Sequence, residues 1–223
     1  MKRRFGILNG ILLAVNLVLM VRYRMEGGIV MKGIASAGFA VLGLVNLFYV
    51  LWRGSAGRRY PIWMALGLVL CMAADIVLNI EFIYGTMMFA GGHVCYMIAY
   101  GGLKKFGRKD LIPVGAVGLI TVLVVTVTPV FNFDTALMRG IVIGYAVVIS
   151  CMLGKAVGNF ATKRCLVTGI ILVGSCLFWF SDLMLAIEVF ADGPKIVGTL
   201  CLFTYYPAQS LLAHGIYWYA EKK

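Results

Sequence analysis

Two aspartates stand in segments that otherwise hold almost nothing but apolar residues. Asp75 lies in Leu70-Cys71-Met72-Ala73-Ala74-Asp75-Ile76-Val77-Leu78-Asn79-Ile80-Glu81, and Asp182 in Leu177-Phe178-Trp179-Phe180-Ser181-Asp182-Leu183-Met184-Leu185-Ala186-Ile187-Glu188. At the centre of a bilayer each such carboxylate costs about 2.5–3.5 kcal/mol to insert, so it faces a bundle interior or a watery cavity and by default marks function. A polar clamp between helices is the structural alternative. Asn79 follows Asp75 by four residues and shares its helical face. His93 and Tyr96 sit mid-segment in Gly91-Gly92-His93-Val94-Cys95-Tyr96, in the segment that follows the Asp75 run. Tyr205, Tyr206 and Gln209 belong to the last apolar run, and Lys32 lies early in the second. These side chains either line a common cavity or make interhelical hydrogen bonds; Lys32 either snorkels outward or leans toward the aspartates. The chain has one other histidine, His214, near the cytoplasmic end, so a His-rich metal site is not indicated. A carboxylate-held divalent cation stays open.

The elements that must position these groups are read from hydropathy. Apolar residues make up 62% of the 223-residue chain and charged residues 13%, against roughly half and a quarter in a soluble domain. Lipid accepts that much apolar surface; few water-soluble folds of this size do. Apolar runs fall at about 5–21, 29–52, 62–80, 82–103, 111–131, 136–157, 166–190 and 196–220, each near the ~20 residues that cross a hydrocarbon core. The expected fold is therefore an all-α membrane protein of about eight transmembrane helices, a single integral domain over residues 1–223. The third and fourth runs meet almost directly at Glu81 and form a tight hairpin. Pro61, Pro113 and Pro194 fall near helix starts, where a missing N–H costs little; Pro207 falls inside the eighth run.

The formal charge of +11 excludes less than its placement does. Bases cluster in short connections, the pattern that orients membrane helices rather than one that binds nucleic acid. The N-terminus, the connections after the second, fourth and sixth runs and the C-terminus hold Lys2, Arg3, Arg4, Arg53, Arg58, Arg59, Lys104, Lys105, Arg108, Lys109, Lys155, Lys163, Arg164, Lys222 and Lys223, fifteen of twenty bases. The other side has Arg22, Arg24, Arg139 and Lys195, with Lys32 just inside the second helix. Both termini are expected in the cytoplasm, and the setting is a cell membrane crossed many times. Counting back from the helix ends at ~1.5 Å per residue puts both aspartates in the outer half of the bilayer. The opening Met1-Lys2-Arg3-Arg4 imitates a secretory signal, but the apolar run to Val21 is long for one and lacks an A-x-A site. It reads as a retained first helix. The six cysteines form no CxxC pair and read as packing residues.

The two aspartate segments align without a gap, and the shared Asp-x5-Glu carries weight in a chain with nine acids. They are the third and seventh helices, which run in the same direction. The match suggests two parallel four-helix halves related by a pseudo-twofold, with chance similarity of apolar helices as the alternative.

At these residues the sequence resembles the YhhN family of membrane proteins, which includes the lysoplasmalogenases. The resemblance rests on the Asp75 helix, Phe89-Ala90-Gly91-Gly92-His93-Val94-Cys95-Tyr96, Tyr145 to Met152, Phe178 to Ala186, and Tyr205-Tyr206-Pro207-Ala208-Gln209. It implies eight helices and hydrolysis of the vinyl ether bond of lysoplasmalogens. It maps Asp75 and Asp182 onto the family's acidic pair, His93 onto its fourth-helix histidine and Gln209 onto its eighth-helix glutamine. Two departures are Lys32-Gly33, where members commonly have Lys-Pro, and Ala74 in place of a glycine. Vinyl ethers hydrolyse when an acid protonates the β-carbon and water captures the oxocarbenium ion. Two aspartates sharing a dry site divide into a proton donor and an anionic partner, as carboxyl pairs do in glycosidases.

The reading is then an intramembrane hydrolase acting on a lysophospholipid within the bilayer. Asp75 and Asp182 are catalytic, supported by His93, Tyr96, Gln209, Asn79, Lys32, Tyr205 and Tyr206, with no cofactor, no metal and no nucleic acid. The two carboxyls are expected within about 10 Å on one cavity, with His93 and Gln209 lining its deeper wall. A proton- or ion-coupled transporter and a non-enzymatic lipid-binding protein are the alternatives.

Overall fold

The computed structural model of the protein describes residues 2–54 and 57–221. Lys222 and Lys223, counted among the bases above, lie outside them. The described residues form eight helices: α1 (Lys2–Glu26), α2 (Ile29–Arg53), α3 (Arg59–Val77), α4 (Phe82–Leu103), α5 (Arg108–Val127), α6 (Ala136–Thr162), α7 (Leu166–Phe190) and α8 (Ile196–Glu221). All eight are long and apolar enough to cross a membrane.

Local chemistry sets the breaks. α1 stops at Gly27 and Gly28, whose φ angles of 69° and 82° are strained for any residue with a Cβ, and α2 starts at once. α3 ends at a compact turn in which Val77 O accepts hydrogen bonds from both Ile80 N and Glu81 N. That turn brings α4 back along α3. The two helices approach so closely that a Cβ on Gly92 would stand 2.6 Å from Cys71 Sγ, and one on Gly67 2.5 Å from the Tyr96 ring. Small residues at such crossings let packing forces hold helices together where lipid supplies no hydrophobic drive.

Several boundaries differ from the sequence reading. α5 begins at Arg108, so Pro113 falls in its second turn, where its missing N–H does forfeit a helical hydrogen bond. α6 runs on to Thr162, and Lys155 lies well inside it. It is not a loop base: it is fully buried, 2.9 Å from Asp110, and its Nζ lies over the Phe106 ring. Asp110 also pairs with Lys104 at 3.0 Å and accepts from Gly107 N at the start of α5. One carboxylate thereby ties together the end of α4, the start of α5 and the last turns of α6.

The helices close into a ring, α2 on α3, α3 on α4, α4 on α6, α6 on α7, α7 on α8 and α8 back on α2. Outside it, α1 packs on α2 and α8, and α5 on α6. Exchanging α1–α4 with α5–α8 maps every contact of the ring onto another contact of the ring. Moreover, α6 begins 107 residues after α2, α7 begins 107 after α3, and Asp182 lies 107 after Asp75. The packing thus follows the repeat seen in the two aspartate segments. The two peripheral helices are the least buried, and their large apolar side chains, such as Val18 and Leu119, face outward as lipid requires.

Both ends of the chain emerge on one face of the bundle. Phe5 of α1 stacks on Tyr49 of α2, and Glu221 of α8 accepts from Tyr49 and pairs with Arg53 at 2.9 Å. Removing Lys155 from the base count leaves the bias on this face intact. A reporter fused to the C-terminus is therefore expected in the cytoplasm and one inserted between α7 and α8 outside it; the reverse labelling would overturn the charge argument.

Candidate functional site

The odd-numbered helices end, and the even-numbered ones begin, on the face opposite the termini. A cavity of about 480 Å³ opens there, with Asp75 and Asp182 both in its wall. Much of the rest is apolar, including Leu78, Phe89, Val142, Leu185 and Leu202.

Asp75, 3% exposed, lies within the last turn of α3. Ser36 Oγ from α2 and Tyr205 OH from α8 both donate to its Oδ2, at 2.5 and 2.7 Å. Lys32 Nζ, one helical turn before Ser36, is 3.8 Å from Oδ1. Lys32 therefore leans inward, held by an ion pair that neutral lipid would not offer it. Behind Tyr205 the network continues: Gln209 Nε2 donates to the Tyr205 hydroxyl at 3.3 Å, and Tyr96 OH donates to Gln209 Oε1 at 2.6 Å. Tyr206 OH lies 3.3 Å from Ser36 Oγ.

Asp182 is held differently. Tyr145 OH of α6 donates to its Oδ2 at 2.5 Å, and His93 Nε2 of α4 is 2.7 Å from the same hydroxyl and 3.5 Å from Oδ2. A tyrosine has one proton to give, so with that proton on Asp182 the hydroxyl accepts from His93, which assigns the hydrogen to Nε2. The buried Nδ1 of His93 has no hydrogen-bond partner among the described residues. Among the described residues the Oδ1 of Asp182 makes no hydrogen bond and no ion pair. Phe178 packs at a tilt beside His93 and edge-on to Tyr205, with ring centroids 4.6 and 5.3 Å away, and so touches a member of each hydrogen-bonded cluster.

The structure thus brings Asp75, Lys32 and Tyr205 together with Asp182 on one cavity. His93 and Gln209 do not line its wall; each stands one hydrogen bond behind it, because the longer Tyr145 and Tyr205 side chains fill the intervening space. Tyr96 and Tyr206 are likewise in the packed interior. Asn79 turns away from the carboxyl group and donates to the backbone carbonyl of Asp75 at 2.6 Å, closing the end of α3. Sequence reasoning did not single out Ser36 or Tyr145 as partners of the acids. The available signal for Ser36 was its position four residues after Lys32, on the same helical face. At the mouth of the cavity stand Arg24, Glu188 and Lys195; the charge pattern alone marks the two bases only as lying on the far side of the membrane.

Six apolar helices closed into a ring, with two more packed outside it and a partly acidic, partly apolar cavity at one end, define a polytopic membrane protein. The family model for YhhN matches residues 35–216, from α2 to the last turns of α8, and the chain belongs to the YhhN family. No curated protein and no solved structure matches it.

Proposed function

We propose that the protein is an intramembrane hydrolase of lysoplasmalogen-type lipids, cleaving the vinyl ether bond to a fatty aldehyde and a glycerophospho-alcohol. The observation that carries this reading is that two carboxyl groups with unlike surroundings line one largely apolar cavity. Two hydroxyl donors and an ammonium group converge on Asp75, the environment of a carboxylate anion. Asp182 lines the cavity with one oxygen held by Tyr145 and, among the described residues, no hydrogen bond on the other, so it can carry a proton there. In this division Asp182 is the acid and Asp75 the anion that stabilises a cation.

The steps balance as follows. The alkenyl π pair takes the Asp182 proton at the carbon β to the ether oxygen, and an oxygen lone pair forms the oxocarbenium ion. Water adds to the cationic carbon and returns a proton to the Asp182 carboxylate, giving a hemiacetal. The hemiacetal loses its hydroxyl proton as its carbon–oxygen bond to glycerol breaks, and the departing oxygen is protonated. One water is consumed and the acid is regenerated. Ordinary acid–base groups suffice because the oxocarbenium ion is formed beside the Asp75 carboxylate, which offsets its charge. Purified protein supplied with a lysoplasmenyl lipid should release aldehyde, while the saturated 1-alkyl analogue should remain intact. Equal inertness of both lipids would remove the reading.

A further inference from the structure

We infer that Arg24 and Lys195 form an anion site at the cavity mouth that holds the phosphate of a lipid headgroup. This rests on the hydrolase reading only for what lies deeper in the cavity; the site itself is argued from the rim. Arg24 is at the end of α1, and its Nε and Nη2 donate to Thr199 Oγ1 at 3.2 and 2.9 Å. Thr199 in turn donates to the carbonyl of Lys195 at 3.4 Å. The guanidinium is thereby fixed over the first turn of α8, beside the residue that precedes that helix. Arg24, Lys195, Gly198 and Thr199 all line the cavity. Neither base forms an ion pair among the described residues, in contrast to Lys32, which Asp75 engages.

The arrangement is therefore layered along one cavity. Two cations without carboxylate partners stand at the mouth, apolar walls lie below, and the acidic pair lies deeper. A ligand that satisfies all three layers is an amphiphile with an anionic head and an apolar chain. Phosphate suits the rim because a guanidinium offers it paired donors. Glu188 lines the mouth as well, its carboxylate close against Gly198 in the first turn of α8, so a headgroup with its own cation meets a carboxylate beside the two bases. The chain, lying among Leu78, Phe89 and Leu202, supplies the depth that free phosphate lacks.

The test is binding, which does not require turnover. A 1-alkyl lysophospholipid and the matching 1-alkylglycerol, neither of which contains the vinyl ether, are titrated into the full-length protein in detergent and followed by intrinsic tryptophan fluorescence. The phospholipid should bind about 10- to 100-fold more tightly, the scale of charge-assisted hydrogen bonds. In Arg24→Gln/Lys195→Gln that preference should collapse to within about threefold while alkylglycerol still binds, which also reports that the variant is folded. Arg24→Lys should restore part of it, and Thr199→Val, which keeps both charges, should retain most. Inorganic phosphate at millimolar concentration should fail to displace the phospholipid; displacement would mean a site for the free ion and would overturn the lipid assignment. A preference unchanged in the double variant, or absent from the wild type, overturns the proposal. If the preference behaves as expected but no aldehyde forms from a lysoplasmenyl lipid, the hydrolase reading fails and the anion site stands.

Discussion

Replacing Asp75 or Asp182 by asparagine is expected to leave a folded, lipid-binding protein whose turnover of lysoplasmenyl lipid falls about 10²–10⁴-fold, the contribution typical of positioned acid–base catalysis. Asparagine matches the shape of aspartate and still accepts from Ser36 and Tyr205 at position 75, or from Tyr145 at position 182. It spares a helix clamp while removing the proton at one site and the negative charge at the other. The double variant should be little slower than the slower single, because groups acting as one unit are not additive. For the same reason the pH–rate profile should be bell-shaped, with limbs that belong to the pair. Near-full activity in either single variant would return these residues to the role of a polar clamp.

The second large effect is on stability and lies at the other end of the bundle. Asp110→Ala is expected to destabilise the protein by about 3–5 kcal/mol, the loss seen when one member of a buried ion pair is removed and the other stays charged. Lys155 is fully buried, and Asp110 is its carboxylate partner among the described residues; Gly107 N also loses its acceptor. Asp110→Asn should recover the cap but not the charge. Asp110→Ala/Lys155→Met should be more stable than Asp110→Ala alone, since it removes the stranded cation too. Thermal midpoints in one detergent rank the four proteins. A single alanine variant as stable as the wild type would show that Lys155 finds other compensation, contrary to its place in the packing.

Much of this was legible in the chain because membrane physics writes large signals. Eight apolar runs, the alternation of basic connections and the two isolated aspartates each reflect a free-energy penalty that soluble proteins can evade. The repeat was visible for the same reason: Asp-x5-Glu stands out where acids are scarce. What the sequence concealed was which polar residues meet. Lys155 counts with the loop bases in sequence because its place near the end of the sixth run says nothing of Asp110 and Phe106, which meet it inside the bundle. Asn79 shares a helical face with Asp75, yet the end of α3 leaves a backbone carbonyl that its amide satisfies first. Tyr145 and Ser36 gave weak signals, since a hydroxyl in an apolar helix can always bond within its own helix. Only the crossing of α6 with α7, and of α2 with α3, aims those hydroxyls at carboxylates. The gap between His93 and the cavity has a similar origin, being set by the length of the tyrosine in front of it.

The central claim is that a carboxylic acid in this cavity protonates carbon. Turnover of a lysoplasmenyl lipid by purified protein in deuterated water, with the aldehyde trapped as it forms, tests it most directly. The account predicts one deuterium on the carbon adjacent to the aldehyde, and none in authentic aldehyde carried through the same incubation. Aldehyde released without deuterium at that carbon would contradict it.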